Sequence, residues 1–152
     1  MVGISPNQLK LIRDTWVHVT PALMEHGVNI FYEFFKKFPD NLKYFPKFTG
    51  VELEKIKSNP AVHVHGMSVA SMFEKTIKIY DLEGGEAEAV RIWTELGESH
   101  KVRKLKRESF VQLREVILDY LVKTLKLNGE QKAAYEAMME FAYEHFLASQ
   151  SI

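Results

Sequence analysis

Two prolines interrupt an aromatic-rich stretch with the sequence Phe38-Pro39-Asp40-Asn41-Leu42-Lys43-Tyr44-Phe45-Pro46-Lys47-Phe48. The residue before a proline is disfavoured in the helical region, so the apolar helical pattern that precedes this stretch ends at Phe38. A proline at the first helical position favours a new turn of helix, which we predict from Pro39 to Phe45. The stretch therefore joins two helical parts of the chain.

Helical periodicity continues on both sides of this stretch, and no run of β-branched residues bounded by turns predicts a strand. At 152 residues the chain suits one domain. We expect an all-α fold of seven to eight helices over residues 1–152. Two further helices are predicted to begin at Ser5-Pro6, where Gln8 completes a capping box, and at Thr20-Pro21. Three more are predicted over Val51 to Ile56, from Asn59-Pro60 to about Tyr80, and over Glu86 to Lys101. The next helix has Phe110, Leu113, Ile117, Tyr120 and Leu121 on one face, and the last helix is predicted to start after Asn128.

Composition excludes several classes of function. Twenty Lys and Arg balance twenty Asp and Glu, so we expect neither a nucleic acid nor a membrane surface as the main partner. The chain has no cysteine, which excludes disulfides, Cys-ligated zinc, Fe–S clusters and covalent haem attachment. The start of the chain lacks a signal-peptide pattern and no segment suits a membrane span, so we expect a cytoplasmic protein.

Histidines are the obvious candidate ligands for a transition metal. At 100° per residue, Val69 lies about 40° and Met72 about 20° from His65, whereas His63 lies about 160° away. His65 is therefore predicted to share an apolar, inward face of its helix.

His100 has the same relation to Trp93 and Leu96, which lie within about 40° of it. Taken alone, His65 or His100 is typical of a hydrogen-bonded core histidine. Two inward histidines on two helices also suit a site between them. The other four are predicted at the surface or the core edge: His18, His26, His63 and His145.

The aromatic residues allow two interpretations, a plain hydrophobic core or the lining of a flat cofactor. The densest group comprises Phe31, Phe34, Phe35, Phe38, Phe45 and Phe48.

These segments together resemble the globin family over nearly the full length of the chain. The stretch 38–48 is similar to the globin segment in which a helix-starting proline precedes a haem-stacking phenylalanine by six residues, which implies that role for Phe45. Residues 64–69 resemble the distal helix, which implies that His65 is the distal histidine and that Val69 lies beside the ligand.

Residues 96–100 resemble the proximal helix, which implies that His100 binds the iron and that Leu96 lies under the porphyrin. The 35-residue interval between His65 and His100, and Trp93 seven residues before His100, resemble insect and other arthropod globins.

The resemblance implies further contacts around the haem. Phe31 is expected to crowd the ligand pocket, and Phe48 and Leu105 are expected to contact the cofactor. Arg103 or Lys104, in an unusually basic segment, is expected to pair with a haem propionate, although that segment also suits an acidic protein partner.

Two glycines, Gly27 and Gly66, lie inside predicted helices, where each is less favourable than alanine by about 1 kcal/mol. A close crossing of the two helices explains them. A crossing fixed in this way resists the inward movement of the helix that would bring His65 onto the iron, so it favours a five-coordinate iron in the ligand-free state. A six-coordinate iron, with His65 as the additional ligand, is the alternative.

The implied function is reversible binding of O2, and also of CO and NO, at non-covalently held haem b for storage, transport or supply. His65 is expected to donate a hydrogen bond to bound O2, and the protein is not expected to be an enzyme. The alternatives are a nitric-oxide dioxygenase or peroxidase, a bis-histidyl gas or redox sensor, and an all-α domain with zinc or no metal. A monomer and a homodimer both stay open.

Overall fold

Helices form all the regular secondary structure in the residues that the computed structural model describes, 3–101 and 105–148. A 3-10 turn at Thr20–Ala22 runs directly into the second α-helix and is counted with it, so the described residues contain eight helical segments. The all-α prediction is confirmed. The segments are α1 (Pro6–Trp16), α2 (Leu23–Lys37), α3 (Pro60–Ile79), α4 (Gly85–Lys101), α5 (Arg107–Leu125) and α6 (Gly129–Leu147), with 3-10 helices at Pro39–Tyr44 and Leu53–Ser58. No helix within the described ranges combines the length and the hydropathy needed to cross a lipid bilayer.

Side-chain caps set the starts of three helices. The Ser5 hydroxyl accepts from the backbone N–H of Gln8 at 3.1 Å, and the Gln8 side chain accepts from the backbone of Ser5 at 3.0 Å. Asn128 and Gln131 form the same reciprocal pair at 2.8 and 2.9 Å, and Asn59 caps α3. Each cap satisfies backbone donors that the first helical turn leaves unpaired.

Two predicted helix starts differ from the structure. The helix expected at Val51 to Ile56 is a 3-10 helix at Leu53–Ser58, two residues later and without a side-chain cap. Thr20 opens only a short 3-10 turn, and α2 itself begins at Leu23. The Thr20 hydroxyl donates to the Glu74 carboxylate at 2.6 Å rather than capping the helix, so a contact with α3 replaces the expected local one.

The two interior glycines allow α2 and α3 to cross with their backbones in contact. A Cβ on Gly27 would overlap the carbonyl oxygen of Gly66, and a Cβ on Gly66 would lie 2.7 Å from the carbonyl carbon of Gly27. The close crossing expected from the sequence is therefore present. It holds the middle of α2 against the part of α3 that carries His65.

The last helix, α6, packs against α1, α4 and α5, and contributes much of the core. Its residues Tyr135 and Met138 are fully buried, as are Ile12 of α1 and Ile117 of α5 at 0–2% exposure. This packing joins α4 to α6 as well as to α3. A space between α3 and α4 is left open toward the end of each helix that carries a histidine.

Candidate functional site

A cavity with about 920 Å³ of empty space, its open mouth included, lies between α3 and α4. Its size and its predominantly apolar lining suit a large, mostly apolar small molecule. The lining residues are Phe34, Asn41, Tyr44, Phe45, His65, Ser68, Val69, Met72, Phe73, Trp93, Leu96, His100, Leu105, Ser109, Phe110, Leu113, Ile117, Tyr143 and Phe146.

His65 lines this cavity from α3, together with Val69 and Met72 as the helical periodicity predicts. Its ring centroid lies 4.8 Å from that of Phe31 and 5.4 Å from that of Phe45. Phe31 is fully buried and lies behind His65 instead of forming the wall. Phe31 therefore restricts the positions that the His65 ring can take.

Phe45 and Phe48 form a parallel pair, with ring planes 5° apart and centroids 5.2 Å apart. Phe45 lines the cavity, whereas Phe48 is buried behind it. The edge of Phe35 packs against both rings at 5.3 and 5.9 Å. Phe48 thus supports the ring of Phe45 from behind and, contrary to the expected direct contact, does not line the cavity.

His100 lines the cavity from α4, near the end of the helix. Its Nδ1 lies 2.9 Å from the carbonyl oxygen of Leu96, and the hydroxyl of Ser99 donates to the same oxygen at 2.8 Å. A carbonyl can only accept, so Nδ1 carries the proton, and in a neutral imidazole Nε2 then carries a lone pair. A backbone partner on one nitrogen is the usual way to orient a metal-binding histidine.

Aromatic rings pack against the other side of His100. The ring of Phe146 lies edge-on at 5.3 Å and that of Phe110 at 6.4 Å. Together with the bond to Leu96, these contacts limit rotation of the imidazole. His100 is therefore held in one orientation by α4, α5 and α6.

Two buried polar residues of the site were missed by the sequence reasoning. Thr76 is fully buried on α3, and its hydroxyl oxygen accepts from the indole N–H of Trp93 at 2.8 Å. The signal for Thr76 was available, because it lies eleven residues after His65 and so on the same helical face. Helical periodicity does not predict that Trp93 on α4 is its hydrogen-bond partner.

Tyr143 of α6 is the other missed residue, and it lines the cavity with its side chain buried. Burial raises the pKa of its phenol above the ordinary value, and the Arg114 guanidinium, 5.7 Å from the ring centre, acts in the opposite direction. The phenol is therefore neutral at physiological pH. It adds a hydrogen-bonding group to a wall that is otherwise mostly apolar.

The remaining predicted contacts lie at the connection between α4 and α5. Leu105, an expected cofactor contact, is buried and lines the cavity. Arg103 and Lys104, the expected propionate partners, lie outside the described residues.

Three of the four other histidines make contacts away from the cavity. His26 Nδ1 pairs with the Tyr120 hydroxyl at 2.8 Å, and His63 Nε2 pairs with the Lys57 carbonyl at 2.7 Å. His145 packs against the ring of Phe141, and His18 is exposed. Within residues 3–101 and 105–148, no three His, Asp or Glu side chains come together as a metal site, so this part of the chain offers no zinc centre.

The residues of the cavity fit a haem. Apolar side chains line most of it, Phe45 presents a flat ring, and histidines from two different helices reach it. Because Nδ1 of His100 donates its proton to the Leu96 carbonyl, Nε2 is the nitrogen that would hold the iron. With no cysteine in the chain, a haem held here is bound without thioether links.

Comparisons with known proteins agree with this arrangement. A family model described as Globin matches residues 28–145. The chain is 26% identical to Globin CTT-VI of Chironomus thummi thummi over 140 residues, which cover 92% of this chain and 84% of that protein. It is similar to a solved Drosophila melanogaster globin with a TM-score of 0.91 and 29% identity, covering 96% of this chain and 95% of the other. A structure of cyanide binding in a hexa-coordinate haemoglobin of Drosophila melanogaster matches with a TM-score of 0.89 and 29% identity, over 95% and 94% of the two chains.

Proposed function

The chain belongs to the globin family and is of the insect type, and from this premise we propose that it binds O2 reversibly at a non-covalently held haem b, for storage, transport or supply. Family and fold make it a haem globin. The observation that carries the proposal is the bond from His100 Nδ1 to the Leu96 carbonyl in a cavity that His65 also lines. We further propose that residues 1–152 form one globin domain in the cytoplasm.

His100 would hold the cofactor through the lone pair on Nε2, with the imidazole oriented by Leu96 and Phe146. Haem, when bound, would supply an iron that binds a diatomic gas. Phe45, supported by Phe48, would pack against the flat face of the cofactor. Leu96 and Leu105 would cover its proximal side and exclude water.

His65 would act on the gas through a ring N–H. A hydrogen bond to a ligand that carries partial negative charge is worth about 1.5–3 kcal/mol. This corresponds to roughly ten- to a hundredfold in affinity. Phe31, 4.8 Å from His65 between ring centroids, would keep that donor in place, and Val69 would limit the space beside it.

A second function, a bis-histidyl gas or redox sensor, is favoured by one observation. His65 and His100 line the same cavity, and a haemoglobin that is 29% identical to this chain is described as hexa-coordinate. In such a sensor His65 as well as His100 would hold the haem iron, and a gas would have to compete with His65. The apparent affinity for O2 would then be the intrinsic affinity multiplied by the fraction of molecules in which His65 is detached.

The ferrous visible spectrum of the haem-loaded protein, recorded through repeated cycles of O2 addition and removal, tests the proposal. We expect the spectrum to return after each cycle with little oxidation of the iron. One-way oxidation in the first cycle, or a ferrous spectrum that does not respond to O2, would contradict reversible binding.

The rate of NO consumption by the oxygenated protein separates carrier from enzyme. A carrier reacts once per haem, because it has no source of electrons for further cycles. Sustained turnover with a cellular reductant would assign the protein to the nitric-oxide dioxygenases instead.

A further inference from the structure

A buried hydrogen bond joins the two helices that carry His65 and His100. The indole N–H of Trp93 on α4 donates to the hydroxyl oxygen of Thr76 on α3 at 2.8 Å. The Thr76 hydroxyl in turn donates to the carbonyl of Met72 at 2.8 Å, so its single proton is committed and its oxygen faces Trp93 as an acceptor. Thr76 is 0% exposed and Trp93 is 4% exposed, so water does not compete for this bond.

The bond lies on the same helical faces as the two histidines. Thr76 follows His65 by eleven residues, which places the two within about 20° on α3 and about 17 Å apart along it. Trp93 precedes His100 by seven residues, which places these two within about 20° on α4 and about 11 Å apart. The cavity occupies the space between the helices on the histidine side of the bond.

One other contact holds α3 and α4 together on the side of the bond that faces their connecting turn. Gly85, at the start of α4, approaches so closely that a Cβ there would overlap the carbonyl oxygen of Ile79. At the bond itself and toward the cavity, the ring of Phe73 lies 5.0 Å from that of Trp93. On the histidine side, α3 is fixed against α2 by the crossing of Gly66 with Gly27. A change in the angle between α3 and α4 therefore has to come from α4.

We propose that Trp93 and Thr76 are positioning residues, and that their hydrogen bond sets the separation of His65 from His100 and with it the balance between five- and six-coordinate ferrous haem. The proposal rests on the function proposed above. A rotation of α4 by about 5° around Trp93 moves His100 by about 1 Å, because the two lie about 11 Å apart along the helix. Metal–ligand distances tolerate only about 0.2 Å, so a displacement of this size decides whether both histidines reach one iron.

Thr76→Val is the variant that tests the bond. Valine keeps the β-branched shape and removes the acceptor, and Thr76 does not line the cavity, so the lining stays intact. Thr76→Ser keeps the hydroxyl and serves as the conservative rescue. Trp16→Phe is the matched control, since the indole of Trp16 donates to Glu74 at 3.3 Å and joins α1, not α4, to α3.

Spin labels report the geometry directly. The chain has no native cysteine, so Val64→Cys and Glu98→Cys place one label beside each histidine at exposed positions. Distances are measured in the full chain with haem in the carbonmonoxy ferrous form, which is diamagnetic. We expect Thr76→Val to shift or broaden the distance distribution by about 1 Å or more, as the lever arm requires, and we expect Thr76→Ser and Trp16→Phe to match the parent.

Coordination is the second readout. In the unlabelled proteins, the ratio of His65-bound to open molecules, taken from the ferrous spectrum and CO-binding kinetics, is expected to change by about threefold or more in Thr76→Val alone. Parent-like distances and coordination in Thr76→Val would overturn the proposal, as would equal effects of Thr76→Val and Trp16→Phe. Failure of the parent chain to bind haem would refute the proposed function instead, and the label distances in the full chain would still test the bond.

Discussion

Replacing Gly66 by alanine tests the crossing that positions the distal helix. The new Cβ would lie 2.7 Å from both the carbonyl carbon of Gly27 and the backbone nitrogen of Val28. Ordinary contacts of this kind are about 3.5–4.0 Å, so the two helices must separate by roughly 1 Å. Backbone atoms on both sides cannot rotate away as a flexible side chain can.

The two contributions to the free energy of unfolding have opposite signs. Overpacking costs about 1–3 kcal/mol, and contact with backbone on both sides places this substitution at the upper end. Alanine gains about 1 kcal/mol over glycine in helix propensity. The net expectation is a loss of about 2 kcal/mol. Gly27→Ala is expected to lose more, because its Cβ would overlap a carbonyl oxygen.

Urea unfolding of the haem-loaded protein, followed by circular dichroism, measures this loss. Gly129→Ala is the matched control, since Gly129 begins α6 and a Cβ there would meet nothing within 4 Å. We expect the control to stay within about 0.5 kcal/mol of the parent. If Gly66→Ala proved as stable as Gly129→Ala, the helices would not cross at this distance and the reasoning would fail.

Two further predictions concern the distal donor and the response to alkaline pH. His65→Leu is expected to accelerate O2 dissociation by about ten- to a hundredfold in stopped-flow measurements, because it removes a hydrogen bond worth about 1.5–3 kcal/mol. The effect on CO dissociation is expected to be smaller. Unchanged O2 dissociation would assign the distal role to another residue. Burial raises the pKa of Tyr135 from its ordinary value of 10.0 to about 12, and it raises the pKa of Tyr143 as well. The unfolded chain releases these protons at lower pH than the folded chain does. The contribution of the two phenols to the free energy of unfolding is therefore fully present below about pH 10 and is lost as the pH rises toward 12. Urea midpoints at pH 9 to 11 check this, and Tyr135→Phe should show a weaker dependence on pH than the parent.

Local signals made most of the fold predictable. The capping pairs join residues three positions apart, and proline acts on its immediate neighbours, so both are visible in the sequence. One helix start that differed, at Thr20, depends on a distant contact. The hydroxyl of Thr20 donates to Glu74, which lies 54 residues later in the chain, and no local pattern reveals that competition.

Some features of the candidate site also follow from local sequence patterns, whereas others depend on how distant helices pack together. Helical periodicity placed His65 and His100 on inward faces, and both line the cavity. The position of Phe31 behind His65 depends on how α2 crosses α3, so only the structure gives it. The pairing of Thr76 with Trp93 likewise requires the angle between two helices, which periodicity along either helix does not contain.

The central claim, that His100 holds a haem in this cavity, is tested most directly by haem titration of His100→Gly with and without added imidazole. Removal of the side chain leaves a space beside Leu96 and Phe146 that a free imidazole can enter. We expect weak haem binding and an altered ferrous spectrum without imidazole, and recovery of the parent spectrum when imidazole is added. Parent-like haem affinity and an unchanged ferrous spectrum in His100→Gly without imidazole would contradict the account.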